Sequence, residues 1–129
     1  MALQFTTKTM KPNEFFGKLF QIRDQVHLTH LAVKGPGAHA AHTALNDYYE
    51  GILELTDGLI ESYQGKYGII ELMIPSSTKM DAISLLKSLA TLTDGGAAYN
   101  MFTETWIQNQ LDEISILTYR TIYKLENLK

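Results

Sequence analysis

At 129 residues, 45% of them apolar and 19% charged, the chain is long enough for one packed domain and ordinary in make-up for a globular one. A net charge of −3 with no basic stripe argues against a nucleic-acid binder, and the absence of cysteine excludes disulfides, iron–sulfur ligation and thiolate zinc sites. No apolar run approaches the ~18 residues of a membrane-spanning helix, and residues 1–13 show no apolar leader stretch, so a cytoplasmic protein with no membrane partner is expected.

The first predicted helix runs from about Lys11 to Lys34. Pro12 suits a first helical turn, and Phe16, Leu19, Phe20, Arg23, Val26, His27 and His30 recur at the helical spacing. Gly35 and Pro36 end it. The connection is short, so the second helix, from about Gly37 to Gln64, must lie antiparallel to the first. On it, Ala41, Leu45, Tyr48, Ile52, Leu55 and Leu59 form one apolar stripe. A second set, His42, Asn46, Tyr49, Leu53, Asp57 and Ile60, lies roughly 90° away, with Glu50, Glu54 and Glu61 at its solvent edge. Two partly apolar faces predict packing within the bundle on one side and against another chain on the other.

Residues 65–77 show no helical period. At ~3.3 Å per extended residue such a connection can travel the length of a bundle, which would set the third helix parallel to the second. Ser76, Ser77 or Thr78 can cap that helix, and Met80, Ile83, Leu86 (or Leu85), Leu89 and Ala90 make its inner face. Asp94-Gly95-Gly96 breaks it, and the fourth helix is predicted from about Ala97 to Asn127. The whole chain therefore reads as one all-α domain, a four-helix bundle with a long crossover between its second and third helices, the ferritin-like arrangement.

The chemistry is concentrated at the first turn. All four histidines fall between His27 and His42, as the pairs His27/His30 and His39/His42 on either side of Gly35-Pro36-Gly37. A three-residue spacing puts both rings of a pair on one helical face, and the turn folds the two faces together. His30 and His42 sit at the same level of the hairpin and can approach one metal ion. Asp57 and Glu61, one turn apart on the second helix, share a face, but Asp57 is fifteen residues beyond His42, roughly 22 Å along the axis. One ion cannot touch both ends of that span. Two chains packed antiparallel along the second helix would bring the acids of one to the histidines of the other, giving two equivalent shared sites.

His27-Leu28-Thr29-His30, then Val33-Lys34-Gly35-Pro36, then His42, Asp57 and Glu61 resembles the Dps family, the starvation mini-ferritins, over about residues 12–68. Gln110-Leu111-Asp112-Glu113 is similar less specifically, and nearly the full length resembles small ferritin-like proteins encoded by bacteriophages. The resemblance implies an iron site between subunits, with His30 and His42 from one chain and Asp57 and Glu61 from its partner. It implies Fe(II) binding, oxidation by dioxygen or peroxide as the ferroxidase chemistry, a homo-oligomer of at least a two-fold dimer, and a twelve-subunit cage as the family's assembly. It also implies the cytoplasm of a bacterium or of a phage-infected cell.

The chain departs from the family at four places, one being its shorter third helix and crossover, where the family carries an extra dimer-contact helix. Asn46 stands where an acid is expected four residues after His42, with Asp47 next to it but ~100° round the helix. Leu31 replaces the aromatic residue after His30, and the N-terminus has no lysine-rich tail, which weighs against DNA binding. Nitrogen and oxygen donors with open positions suit Fe(II), with zinc or another divalent metal as the alternative. Two other readings stay open. One is a non-catalytic structural or interaction protein that keeps the bundle while its metal site has degenerated. The other is an all-histidine site within one chain, with His27 and His39 as additional ligands to zinc or copper.

Overall fold

The computed structural model describes residues 9–129; the reading of the N-terminus as free of a leader and of a basic tail falls largely on residues 1–8, outside the described range. The described chain is all-helical: α1 (Pro12–Ala32), α2 (Ala38–Tyr67), α3 (Ala82–Thr93), a short α4 (Ala97–Met101) and α5 (Thr105–Asn127). None of these helices is long and apolar enough to cross a membrane.

Helices α1 and α2 form the expected antiparallel hairpin. Pro12 opens α1, and Glu14 accepts from the backbone N–H of Lys11 at 2.9 Å, which satisfies one of the free donors at that end. The turn depends on Gly35 and Gly37, whose φ angles of +87° and +82° lie in the left-handed region that side chains with a Cβ avoid. After α2, residues 68–81 run back along α1 rather than turning directly. The Gln21 amide donates to the Ser76 carbonyl, and Gln25 bonds the Thr78 backbone on both sides, through Nε2 to the carbonyl (3.0 Å) and through Oε1 to the N–H (3.1 Å). These contacts ascend α1 in step with the crossover, so α3 starts at the hairpin end and runs parallel to α2.

Two predicted boundaries were wrong. The third helix is not capped at Ser76, Ser77 or Thr78 but at Asp81, whose carboxylate accepts from the Ser84 N–H at 2.8 Å. The reason is tertiary: α1 uses the backbone polar groups of Ser76 and Thr78, which keeps them extended and leaves Met80 exposed instead of in the core. The fourth helix is broken after Met101. Phe102 takes an extended conformation and packs its ring into the core beside Phe16 (6.2 Å between centroids) and Tyr63 (6.0 Å). Glu104 then begins α5.

The bundle packs α1 on α2, α2 on α5, α5 on α3 and α3 on α1. Its centre holds Phe16, Leu19 and Ile22 of α1, Tyr48, Ile52 and Leu59 of α2, Leu85, Leu86 and Leu89 of α3, and Ile107, Leu111 and Ile114 of α5, all buried. The second face of α2 is partly covered within the chain, with His42 and Asp57 exposed and Asn46 and Leu53 half-buried. Tyr49 stacks on α1, and Ile60 is buried at 6% exposure. Leu28 and Leu31 of α1 are exposed near the hairpin, at 65% and 67%.

Candidate metal centre

Near the C-terminal end of α1, the helical period turns His30 inward. It is only 6% exposed, and neither ring nitrogen has a hydrogen-bond partner in the protein. Across the turn, early in α2, His42 lays its ring on that of His30 with centroids 3.8 Å apart and planes 26° from parallel. His42 Nδ1 sits 3.0 Å from the His30 carbonyl oxygen. A carbonyl only accepts, so Nδ1 carries a proton and donates, which puts the lone pair of the neutral tautomer on Nε2. That is how metal-binding histidines are commonly held: one nitrogen donates to a backbone carbonyl and the other is left basic. Burial, reinforced by the nearby His42 and His27, lowers the pKa of His30, while Glu50 and the backbone of His27 pull weakly the other way. His30 is thus kept in the neutral form that a cation requires.

His27 belongs to the same cluster. Its ring lies 5.8 Å from His30 and stacks on Tyr49 at 4.0 Å with planes 13° apart; Tyr49 in turn meets His30 edge-on at 5.2 Å. Arg23 stands 6.0 Å over the Tyr49 ring. Sequence reading left Tyr49 and Glu50 out of the site, although seven and eight residues past His42 is two helical turns and returns to the same face.

His39 is not part of the cluster. With Asp47 it lines a shallow depression on the α5 side of α2, beside Lys124 and Leu128. The expectation that the turn brings both histidine pairs face to face therefore fails for His39: residue 39 lies ~60° round the helix from residue 42, and that step carries it to the side of α2 facing Lys124 and Leu128 instead of α1. Asp47 is likewise turned away from His30. Asn46 is half-buried one turn after His42. Asp57 and Glu61 are both exposed, on the far half of the unbroken α2. Among the described residues, no three His, Asp or Glu side chains of one chain gather as a metal site, so the all-histidine site is not assembled.

At the opposite end of the bundle is a polar cluster that sequence spacing did not signal. The Glu104 carboxylate, 6% exposed, takes a hydrogen bond from Lys66 Nζ at 2.6 Å and another from the Tyr67 hydroxyl. These two donors bring the Glu104 pKa down to about 2, and the carboxylate raises those of Lys66 and Tyr67. The cluster pins the end of α2 to the start of α5 and has no nucleophile or open donor set.

No curated protein and no solved structure matches the chain. A family profile does match, over residues 30–125, which takes in His30, His42, Asp57 and Glu61 but begins after His27. The chain thus belongs to a family of unknown function, DUF5856.

Proposed function

We propose that this protein is a ferritin-like, Dps-like metal-binding protein that takes Fe(II) as substrate at a site shared between two subunits. The observation that carries the reading is the His30–His42 pair: a buried neutral imidazole with both nitrogens free, beside a second imidazole whose Nδ1 is tied to a carbonyl. The donor set fits a borderline divalent cation. Two imidazoles make half a site, and Asp57 and Glu61 are the acids able to complete it, from a second chain lying antiparallel. The crossover along α1, with α2 and α3 parallel, supports the ferritin-like topology. Exposed Leu28 and Leu31 beside the histidines offer apolar surface for the second copy. The two-fold dimer is the smallest assembly that serves, and a twelve-subunit cage is a larger one containing it. The cytoplasm of a bacterium or phage-infected cell fits this reading.

In this arrangement His30 and His42 would hold the cation from one side and the acids would offset its charge from the other. Bound Fe(II) would be available there for oxidation by dioxygen or peroxide, the ferroxidase step. Asn46, neutral where an acid would bind more strongly, favours weak binding and slow turnover. The same residue supports the second reading, a ferritin-like structural or interaction protein with a degenerate site.

Anaerobic Fe(II) titration by calorimetry separates the two, with Zn(II) as a redox-inert control. Binding lost in His30→Ala and in Asp57→Ala, together with a dimer in sedimentation, is the expected result. A dimer that binds neither Fe(II) nor Zn(II) leaves the structural reading; a strictly monomeric chain overturns the shared site. Oxygen or peroxide consumption on adding Fe(II) reads the oxidation step.

A further inference from the structure

His30 and His42 are held in different ways. His42 has a directional tether, its Nδ1–H to the His30 carbonyl. No well-aligned hydrogen bond fixes the His30 ring. Three neighbouring rings surround it: His42 stacked at 3.8 Å, Tyr49 edge-to-face at 5.2 Å with planes 63° apart, and His27 tilted at 5.8 Å. Tyr49 is itself secured by the stacked His27 ring and flanked by the Arg23 guanidinium. A T-shaped contact constrains the tilt of a ring more than an aliphatic neighbour of similar volume does, because the positive edge of one ring must meet the negative face of the other.

We propose that Tyr49 is the positioning residue of this centre: locked by His27 and Arg23, its ring sets the orientation of the His30 imidazole and so the direction of the donor atom. The inference rests on the metal-binding reading and adds a residue that contributes no ligand. The aromatic ring is what matters, not the hydroxyl, so phenylalanine should substitute and leucine should not.

The test uses Co(II), whose visible spectrum reports ligand geometry as well as occupancy. Losing a residue that orients a ligand typically weakens metal binding 10- to 100-fold. Tyr49→Leu is expected to weaken Co(II) binding roughly tenfold and to alter the d–d bands, while Tyr49→Phe stays within about twofold of the parent. Unchanged Co(II) affinity and spectrum in Tyr49→Leu overturns the inference, as does an equal loss in Tyr49→Phe. If Tyr49→Leu does not fold, His27→Leu carries the same test by removing the ring that secures Tyr49, and wild-type behaviour there overturns the proposal. A parent protein that binds no Co(II) is a different failure: it removes the centre itself.

Discussion

Substituting Gly17 by alanine tests the crossover, on which the parallel course of α2 and α3 rests. In the middle of an exposed helix, Gly→Ala stabilises by ~0.5–1 kcal/mol because alanine has less backbone freedom to lose. Gly58 in α2 is such a position, with no atom within 4 Å of an added Cβ. At Gly17 the new Cβ would overlap the carbonyl oxygen of Met73 and lie 3.2 Å from its carbonyl carbon. Both are backbone atoms, so the crossover must lift as a unit. Lifting it endangers the Gln21–Ser76 bond and the two bonds from Gln25 to the Thr78 backbone, each worth ~1 kcal/mol net. Setting that loss against the gain in helix propensity leaves Gly17→Ala about 2 kcal/mol less stable than the parent. For a chain of this size that is a fall in Tm of about 8 °C. Gly58→Ala should instead rise by about 2–4 °C. Urea and thermal unfolding followed by circular dichroism, at one protein concentration, measures both. If Gly17→Ala is stabilised like Gly58→Ala, the crossover does not lie on α1, and the parallel arrangement of α2 and α3 loses its support.

Tyr48 and Thr118 join α2 to α5 through a fully buried hydroxyl pair, 3.1 Å apart. Tyr48→Phe and Thr118→Val should each cost ~1–3 kcal/mol by stranding the other hydroxyl, while the double variant should cost much less than their sum; additive urea-unfolding losses would contradict the bond. Glu104 titrates lower when folded, near 2 against an ordinary 4.5, so its contribution is complete above the ordinary value and disappears as the pH falls towards 2. Thermal melts from pH 6 downward should therefore fall more steeply for the parent than for Glu104→Gln, and parallel curves would show the carboxylate to be unpaired. Replacing exposed Leu28 and Leu31 by serine should shift sedimentation towards the monomer without lowering helicity, if α1 forms part of the seat of the second copy; an unchanged distribution places that seat elsewhere.

The first half of the fold was legible in the sequence because its determinants are local. Pro12, the Gly35-Pro36-Gly37 turn and the three- and four-residue apolar steps act within a few residues of where they stand. The second half was less legible because distant partners decide it. Ser76 and Thr78 look like caps, but Gln21 and Gln25, more than fifty residues earlier, hold them in extended chain. The break at Phe102 follows from an aromatic contact with Phe16 and from the Lys66–Glu104 pair, neither of which has a spacing to read. At the site, the His30–His42 meeting followed from their equal distance from the turn. The diversion of His39 and Asp47 towards α5 depended on which side of α2 the fourth helix would cover, and periodicity alone does not say. Tyr49 was visible as a face-mate of His42 but not as a stacking partner, since ring orientation leaves no trace in spacing.

One hydrogen bond links hairpin and site. The bond from His42 Nδ1 to the His30 carbonyl spans the turn and joins α1 to α2, so it fixes the register of the hairpin as well as the tautomer of the ring. A register shifted by one residue would rotate His42 by ~100°, breaking the bond and taking Nε2 away from His30. The two left-handed glycines are what allow five residues, 33–37, to reverse the chain at that register. Gly35 has open space around it, so a Cβ there would meet no neighbour and would act through backbone strain alone. The turn therefore belongs to the proposed metal centre as much as the histidines do, although it supplies none of the donor atoms.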